Sequence, residues 1–439
     1  MLESESVQPN LSRRHFLGAV APALGLAPIV TPSRVIASGQ LSKGVQGMTG
    51  ASNVPDWVEA ARRQIPATRD RYFQTAGIAP SPTPVIERVK ELLDIQNQGP
   101  VNPEVSARLA ACEPDLRAHL GRMFGAHANE IALTHSTSEG INIVSWALDW
   151  KPGDEVILSN QEHPANTIPW YNLARRFGVV VRRVDLTTGT DFLDEMLSVL
   201  TGRTRMVSIP HVSRNNGRGL RTSEVAALAD RLRSQDIRLH LDGAQGPACV
   251  PVNFRELGCD YYSACGHKWL LGPKGTGVLF CRRDMLDRTL LSWTGSHSHT
   301  SYDSDGNFEL LPEARRFEFG TRALADFGGF DAALTWCEGI GIERILNRIN
   351  ELVAYAEHEW GARGHRVTSP TTSDDRSGVF VLELPESTDG WTMYDALRLH
   401  EATYTSPVDG PRDLRVAIHF FNTREEIDAT FDTIERLAQ

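Results

Sequence analysis

"DYYSACGHKWLLGPKGTGVLF", residues Asp260–Phe280, places Lys268 between an apolar run and a glycine-rich segment. The runs "DYYSAC" and "TGVLF" have the aromatic and β-branched content that is typical of strands. A lysine at the end of a buried strand is a candidate reactive amine, whereas a lysine on a surface turn is an ordinary solvated charge. The residues around this stretch decide between the two interpretations.

Short apolar runs alternate with helical patterns on the N-terminal side of this stretch. The runs that predict strands are "EIALTH", "GDEVILSN", "VVVRRVDL", "RMVSIPHVS" and "RLHLDGAQ". Strands that alternate with helices predict an α/β fold with a doubly wound, mostly parallel sheet covered on both faces. We expect this sheet to form a large domain over residues 75–300.

The pattern changes in the C-terminal part of the chain, where helices and strands separate. The stretch "GIGIERILNRINELVAYAEHEW" (339–360) predicts one long helix, and the polar "SPTTSDDRSG" (369–378) predicts a loop. We therefore expect a smaller α+β domain at 335–439, with a linking segment at 301–334. Residues 38–74 are expected to pack against this small domain.

The composition bounds the class of protein. The 439 residues carry 45 Lys and Arg against 55 Asp and Glu, a formal net charge of −10, and 41% of them are hydrophobic. An acidic balance without charge runs argues against nucleic acid and anionic membrane surfaces as partners. The six cysteines show no CxxC pair and no zinc-like spacing, so we predict neither a metal site nor a disulfide framework.

The N-terminus has the layout of an export signal. The pattern "SRRHFL" (Ser12–Leu17) precedes a weakly apolar run that ends in small residues and is too short to span a bilayer stably. It resembles a twin-arginine signal, so we predict a signal peptide over residues 1–37 and a periplasmic mature protein. The alternative is an amphipathic N-terminal helix.

Two candidate site segments follow the first two strands of this series. In "THSTSEGIN", Ser136 and Glu139 match a capping box, and the hydroxyls of Thr137 and Ser138 at a helix N-terminus offer a seat for phosphate. The alternative is a cap that serves only the helix. In "SNQEHPAN", His163 lies in a turn, where its ring could stack on a flat ligand or simply be solvated.

Two further segments complete the set. "LHLDGAQ" places Asp242 at a strand end, with Gln245 one turn later. A carboxylate there needs a cation or strong donor as partner, although an aspartate that only caps the next turn is the alternative. A protonated pyridine nitrogen is such a partner, and Lys268 can form a Schiff base with an aldehyde. A phosphate seat, a stacking ring, a carboxylate and an amine together meet the needs of pyridoxal 5′-phosphate.

From about Tyr72 onward the chain resembles the class V aminotransferase family of fold-type I pyridoxal-phosphate enzymes. This family includes cysteine desulfurases, selenocysteine lyases and isopenicillin N epimerases. The matching motifs, in chain order, are "YFQTAGIAPSP", "THSTSEGIN", "EHPANTIPW", "LDGAQ", "GHKWLLGPKGTG" and "RRFEFGTR".

The resemblance implies a role for each site residue. Lys268 would carry the cofactor as a Schiff base, Asp242 would pair with the ring nitrogen, and His163 would stack on the ring; these three are the predicted catalytic residues. Gln245 would bond the phenolic oxygen. The residues implied in holding the phosphate are Thr137, Ser138 and His267.

The resemblance also implies a homodimer and a site for the substrate. Gly320 and Thr321 match residues that reach the partner's cofactor in the family, so segment 301–334 is expected to contact the partner subunit. Arg415 matches the arginine that grips the substrate α-carboxylate, for which a two-pronged donor is suited. Arg322 is a second candidate anion binder.

Three positions depart from the common family pattern. Cys265 stands where a serine often contacts the phosphate, and Arg214 stands where desulfurases commonly have asparagine. Arg322 replaces a proline seen in many desulfurases, which favours the epimerase-like branch. These changes leave the contacts of the phosphate and the phenolic oxygen open.

The residues argue against one reaction and leave several open. No cysteine follows Cys337, so the nucleophilic cysteine of a persulfide-forming desulfurase is missing. We expect an exported enzyme that acts, like a transaminase, on the amino group of an amino acid or peptide-borne residue. Siderophore or other natural-product maturation is one setting, because exported members of the family act on pyoverdine siderophores. The alternatives are an epimerase, a C–S lyase of small amino acids, and a catalytically silent binding protein.

Overall fold

A computed structural model describes residues 54–186 and 192–439 of the chain. The predicted signal peptide and its cleavage site lie outside these residues. The helices are α1 (Asp56–Arg62), α2 (Thr83–Asn97), α3 (Pro103–Ala110), α4 (Cys112–Phe124), α5 (Thr137–Ser145), α6 (Ile168–Phe177), α7 (Phe192–Ser198), α8 (Thr222–Arg233), α9 (Phe254–Leu257), α10 (Leu324–Ile340), α11 (Ile342–Ala362), α12 (Gly390–His400) and α13 (Arg424–Leu437).

The strands fall where the apolar runs predict them, and several short pairs are added. They are β1 (Arg71–Tyr72), β2 (Ile131–Thr134), β3 (Glu155–Ser159), β4 (Val180–Val184), β5 (Thr204–Pro210), β6 (Arg238–Asp242), β7 (Tyr261–Cys265), β8 (Gly277–Cys281), β9 (His299–Tyr302), β10 (Phe308–Leu310), β11 (Val379–Glu383), β12 (Thr403–Tyr404), β13 (Ser406–Pro407) and β14 (Asp413–Ala417).

The central sheet has seven strands in the order β2-β8-β7-β6-β5-β3-β4. The pairs from β7 to β4 are parallel, and β8 runs antiparallel to both of its neighbours. Along β3, Ile157 packs in one hydrophobic cluster while Val156 and Leu158 pack in another. Alternate side chains therefore enter two cores, one on each face, which confirms the predicted doubly wound α/β fold.

The C-terminal part contains an antiparallel sheet in the order β11-β14-β13, packed with α11, α12 and α13. Arg71 and Tyr72 of β1 pair with Thr403 and Tyr404 of β12, so the N-terminal segment joins this part of the molecule. The described residues belong to one compact unit, and the predicted boundaries of a large and a small domain stay predictions.

One helix prediction needs correction. The stretch 339–360 was expected to be a single helix, but α10 ends at Ile340 and α11 begins at Ile342. Gly341 separates them with a φ of 99°, a backbone conformation that breaks an α-helix and suits glycine. The loop predicted at 369–378 is confirmed, since those residues form neither helix nor strand. Within the described ranges, no helix is long and apolar enough to cross a membrane.

Candidate active site

The predicted phosphate seat lies between β2 and the N-terminus of α5. The Ser136 hydroxyl accepts a hydrogen bond from the Glu139 backbone N–H at 3.3 Å, as the capping pattern predicts. The Glu139 carboxylate instead accepts from the His135 backbone N–H at 2.6 Å, one residue before the predicted partner. The Thr137 hydroxyl oxygen is buried and makes no hydrogen bond within the described residues. An unsatisfied hydroxyl at a helix N-terminus suits an anion.

His163 follows β3 and presents its ring to a cavity. Its Nδ1 accepts a hydrogen bond from the Ala165 backbone N–H at 3.1 Å, which leaves the hydrogen of a neutral ring on Nε2. The ring is exposed toward the cavity, yet partial burial, followed by the charges of Lys268, Arg214 and Arg415, lowers the pKa of His163 to about 4. A neutral imidazole can stack on a flat heterocycle without adding charge.

Asp242 is the last residue of β6 and is buried. Its Oδ1 accepts a hydrogen bond from the Ala244 backbone N–H at 2.9 Å. Burial raises the pKa of Asp242, and this hydrogen bond and the Lys268 charge oppose that effect. A cationic nitrogen placed beside the carboxylate would favour its ionised form.

Gln245 follows Asp242 and is already engaged at both ends of its amide. Its nitrogen donates to the Ala76 carbonyl at 2.8 Å, and its oxygen accepts from Trp269 Nε1 at 2.7 Å. One N–H of the amide remains for a ligand, so contact with a phenolic oxygen stays a prediction.

Lys268 lies in the turn after β7, next to His267. Burial is the largest cause that lowers the pKa of Lys268, and the neighbouring Arg415 and Arg214 lower it further, whereas Cys265 and Asp242 raise it. Its amine makes no hydrogen bond or ion pair with the described residues. A lysine with a lowered pKa and no ion-paired carboxylate among the described residues is a candidate nucleophile for a carbonyl.

One cavity of about 240 Å³ collects these side chains. The predicted site residues that line it are Thr137, Ser138, His163, Asp242, Gln245, His267 and Lys268. Besides the Thr137 hydroxyl, Nδ1 of His267 is buried without a hydrogen-bond partner in the part of the chain that the structure describes. The Thr137 hydroxyl at the N-terminus of α5 and Nδ1 of His267 in the turn after β7 fit a phosphate. The buried Asp242 carboxylate and the Lys268 amine fit the ring nitrogen and the aldehyde of pyridoxal 5′-phosphate.

Arg415 approaches this group from β14 without lining the cavity itself. Only 5% of the residue is exposed, and among the described residues its guanidinium makes one weak hydrogen bond, 3.4 Å to Oε1 of Gln74. Its Nε has no hydrogen-bond partner among the described residues. The pKa of Arg415 falls to about 10, through burial and then the charge of Arg214. A buried arginine with spare donors is suited to bind a carboxylate.

The other predicted ligands lie elsewhere. Thr321 and Arg322 line a separate cavity of about 790 Å³, and Gly320 directly precedes them. The Arg322 guanidinium pairs with Glu113 at 2.9 Å and with Glu318 at 3.8 Å, and it also donates to the Leu133 carbonyl. The Arg322 guanidinium is thus already ion-paired with two carboxylates. The expected contacts of these residues with a substrate, or with a partner's cofactor, stay predictions.

Sequence reasoning missed a buried polar chain behind His163. Glu162 accepts hydrogen bonds from the Ser159 hydroxyl at 2.6 Å and the Asn166 amide at 2.7 Å. Ser208 donates to Asn166 at 2.8 Å and also contacts His240, which in turn bonds Ser263 at 2.9 Å. Burial raises the pKa of Glu162 to about 8. No local pattern could reveal this chain, because its members come from four strands and from the segment between β3 and α6.

The comparisons with known proteins agree with this geometry. The family model described as "Aminotransferase class-V" matches residues 71–429. A probable cysteine desulfurase of Methanothermobacter thermautotrophicus is 28% identical over 417 residues, covering 87% of this chain and 98% of that protein. The isopenicillin N epimerase of Amycolatopsis lactamdurans is 28% identical over 399 residues, covering 86% of this chain and 98% of that enzyme.

Solved structures give the same result. A mutant of C-DES with glycine covalently linked to the PLP cofactor superimposes with a TM-score of 0.78 at 27% identity, covering 86% of this chain and 99% of that one. The cystine C–S lyase C-DES with its product cysteine persulfide also gives 0.78, at 26% identity, over 84% of this chain and 97% of that one. These structural neighbours are fold-type I enzymes.

Proposed function

The chain belongs to the class V aminotransferase family and is a pyridoxal-phosphate-dependent enzyme, and on this premise we propose that it acts, like a transaminase, on the amino group of an amino acid or of a residue carried in a peptide. The observation that carries the proposal is the single cavity that joins Lys268, Asp242 and His163 to a phosphate seat.

The side chains around the cavity supply what such a reaction needs. When bound, the cofactor withdraws electrons from the substrate carbon that bears the amine. Asp242 would hold the ring nitrogen, His163 would stack on the ring, and Thr137, Ser138 and His267 would hold the phosphate. The Lys268 amine, with its lowered pKa, is suited to accept and return a proton at the reacting carbon. Arg415 would fix the α-carboxylate.

The alternative is a C–S lyase or an epimerase of small amino acids. Its support is that similar proteins include an isopenicillin N epimerase and a cystine C–S lyase. Both reactions also begin with loss of a bond at the amine-bearing carbon. A persulfide-forming desulfurase has less support, because Cys265 is the cysteine that lines the cavity and it is buried. Burial raises the pKa of its thiol, which makes it a poor nucleophile.

We further propose that the enzyme is exported by the twin-arginine pathway and works in the periplasm. The support is the Ser12–Leu17 pattern and the small residues before Ser38. A peptide-borne amine, as in siderophore or natural-product maturation, is the substrate setting that accords with export of a folded enzyme.

A half-reaction screen tests the proposed activity. The purified enzyme is reconstituted with pyridoxal 5′-phosphate and mixed with single amino acids and short peptides. Conversion of the cofactor to its amine form with release of a keto product supports transamination. Deuterium uptake from solvent with unchanged cofactor supports epimerisation, and release of sulfide with pyruvate supports the lyase.

Two lysine variants control the screen. Lys268→Ala should lose the visible absorbance of covalently held cofactor and all turnover, because no amine is left to bind the aldehyde. Lys274→Ala changes an exposed lysine of the same loop and should behave like the wild type. A Lys268→Ala enzyme with wild-type spectrum and activity would refute the assignment.

A further inference from the structure

Arg214 introduces a second guanidinium beside the cavity, in addition to Arg415. It lies in the segment after β5 and lines the same cavity as Lys268 and His163. Its charge acts on Lys268, His163 and Arg415, lowering the pKa of each of them. Arg214 therefore lines the cavity, and the charge of Arg415 reaches the same reaction centre from β14.

The partner of Arg214 indicates what this guanidinium can bind. Nη1 of Arg214 lies 3.2 Å from Oδ1 of Asp409, and the neighbouring Asn215 amide donates to Oδ2 at 2.9 Å. Asp409 lies in the loop between β13 and β14, and its side chain is 64% exposed, against 20% for Arg214. A carboxylate held by an arginine and an amide shows that the geometry of this position accepts a carboxylate.

The bond to Asp409 is easy to exchange. Ion pairs with one exposed member contribute little to stability, because water competes for the charge. A substrate carboxylate that enters the cavity could replace Asp409 on Arg214, and the released aspartate would remain hydrated at the rim. Arg415 is only 5% exposed, and its Nε has no hydrogen-bond partner among the described residues. Water therefore cannot solvate its charge well, and a bound anion would stabilise it.

The balance of charge calls for a second anion. Arg214 and Arg415 are cationic beside the reaction centre, while Asp242 pairs with the ring nitrogen under the proposed function and Asp409 lies at the rim. A substrate with a single carboxylate would satisfy Arg415 and leave Arg214 with Asp409. A substrate with two carboxylates would satisfy both arginines.

We propose that the substrate is a dicarboxylic amine, whose α-carboxylate binds Arg415 and whose second carboxylate displaces Asp409 from Arg214. The inference rests on the proposed function for the position of the amine, and it names the substrate class of that same site. Arg214 then sets specificity rather than taking part in the bond changes.

The test measures binding of acids that lack an amine and cannot react. The holoenzyme is titrated with glutarate and with butyrate in a calorimeter. Glutarate should bind about tenfold to a hundredfold more tightly, the range expected for hydrogen bonds to a charged group. Equal dissociation constants for the two acids would overturn the proposal.

Variants assign the preference to Arg214. Arg214→Gln should remove the preference for glutarate and leave butyrate binding unchanged, whereas Arg214→Lys should keep part of the preference. Asp409→Asn should tighten glutarate binding, since the competing carboxylate is removed. Arg398→Gln breaks an exposed pair with Asp395 on α12 and is the matched control, with wild-type binding expected. A preference that persists in Arg214→Gln would contradict the assignment.

Turnover separates this inference from the proposed function. If amines react but glutamate and glutamine do so with equal kcat/KM, the proposed function stands and the dicarboxylic specificity is refuted. If glutarate is preferred but no amine reacts, the anion site stands and the proposed reaction is refuted.

Discussion

Lys268 acquires its chemistry from its position rather than from its immediate neighbours in sequence. It lies in the turn after the buried strand β7, and the charges of Arg214 and Arg415 reach it from two other parts of the chain. Burial and these two cations favour the neutral amine, which is the nucleophilic form. The surface-turn interpretation of the lysine is therefore not supported by its surroundings.

Cys265 allows a test of whether the side chain at this position contacts the phosphate of the cofactor. It lines the cavity near Thr137 and His267, where a hydroxyl could donate to the phosphate, while a thiol is a weak donor. Cys265→Ser should tighten cofactor binding by about tenfold, roughly one hydrogen bond to a charged group. Equilibrium dialysis of the cofactor measures the change. Cys249→Ser, a buried cysteine outside this cavity, is the control; equal or weaker cofactor affinity in Cys265→Ser would reject the contact.

The turn after β6 is the element that positions Asp242. Tyr262 of β7 is fully buried and its hydroxyl hydrogen-bonds to His211 at 2.9 Å. The turn passes so close to this ring that a Cβ on Gly243 would lie 1.9 Å from Tyr262 Cε1. Glycine is needed here for close approach and not for an unusual φ.

Gly243→Ala should therefore move either Tyr262 or the turn. We expect a loss of about 1–3 kcal/mol in the free energy of unfolding, as for other overpacked cores, together with weaker cofactor binding. Urea denaturation and cofactor titration measure the two effects. Gly202→Ala is the matched change, because nothing lies within 4 Å of its added Cβ. A Gly243→Ala variant as stable as the wild type would contradict this expectation, because it would show that the Tyr262 ring moves aside at no cost.

The stability of the whole molecule depends on buried groups that stay neutral. His240 lies inside the sheet between Ser208 and Ser263, and burial lowers its pKa to about 3. Below its unfolded pKa of 6.5, the unfolded chain binds a proton at this position and the folded chain does not. The stabilisation from neutral His240 is therefore complete above pH 6.5 and is lost as pH falls toward about 3.

His240→Asn removes this titration and the imidazole that hydrogen-bonds to both Ser208 and Ser263. The variant should be less stable than the wild type at pH 7.5 by about 1–3 kcal/mol. This difference should narrow by up to about 1.4 kcal/mol per pH unit between pH 6.5 and 4.5. Urea midpoints across this range measure it, with exposed His358→Asn as the control. A difference that does not change with pH would exclude the mechanism.

Local patterns were sufficient for the fold and for placing the predicted site residues around one cavity. Strand runs and helix caps are properties of adjacent residues, and the carboxyl ends of parallel strands meet at one edge of the sheet. Thr137, His163, Asp242 and Lys268 each follow or end such a strand, so their meeting in one cavity could be predicted together with the family and the cofactor.

Contacts between distant segments were decided only by the tertiary structure. The approach of Arg214, Asp409 and Arg415 depends on how the sheet and the C-terminal strands pack, which no local pattern encodes. The same packing turns Arg322 toward Glu113 and Glu318 and joins Glu162 to His240 through buried hydroxyl and amide groups. The sequence by itself thus determined the chemistry of the cofactor, while the packing of remote elements decided which charges lie at and near the cavity.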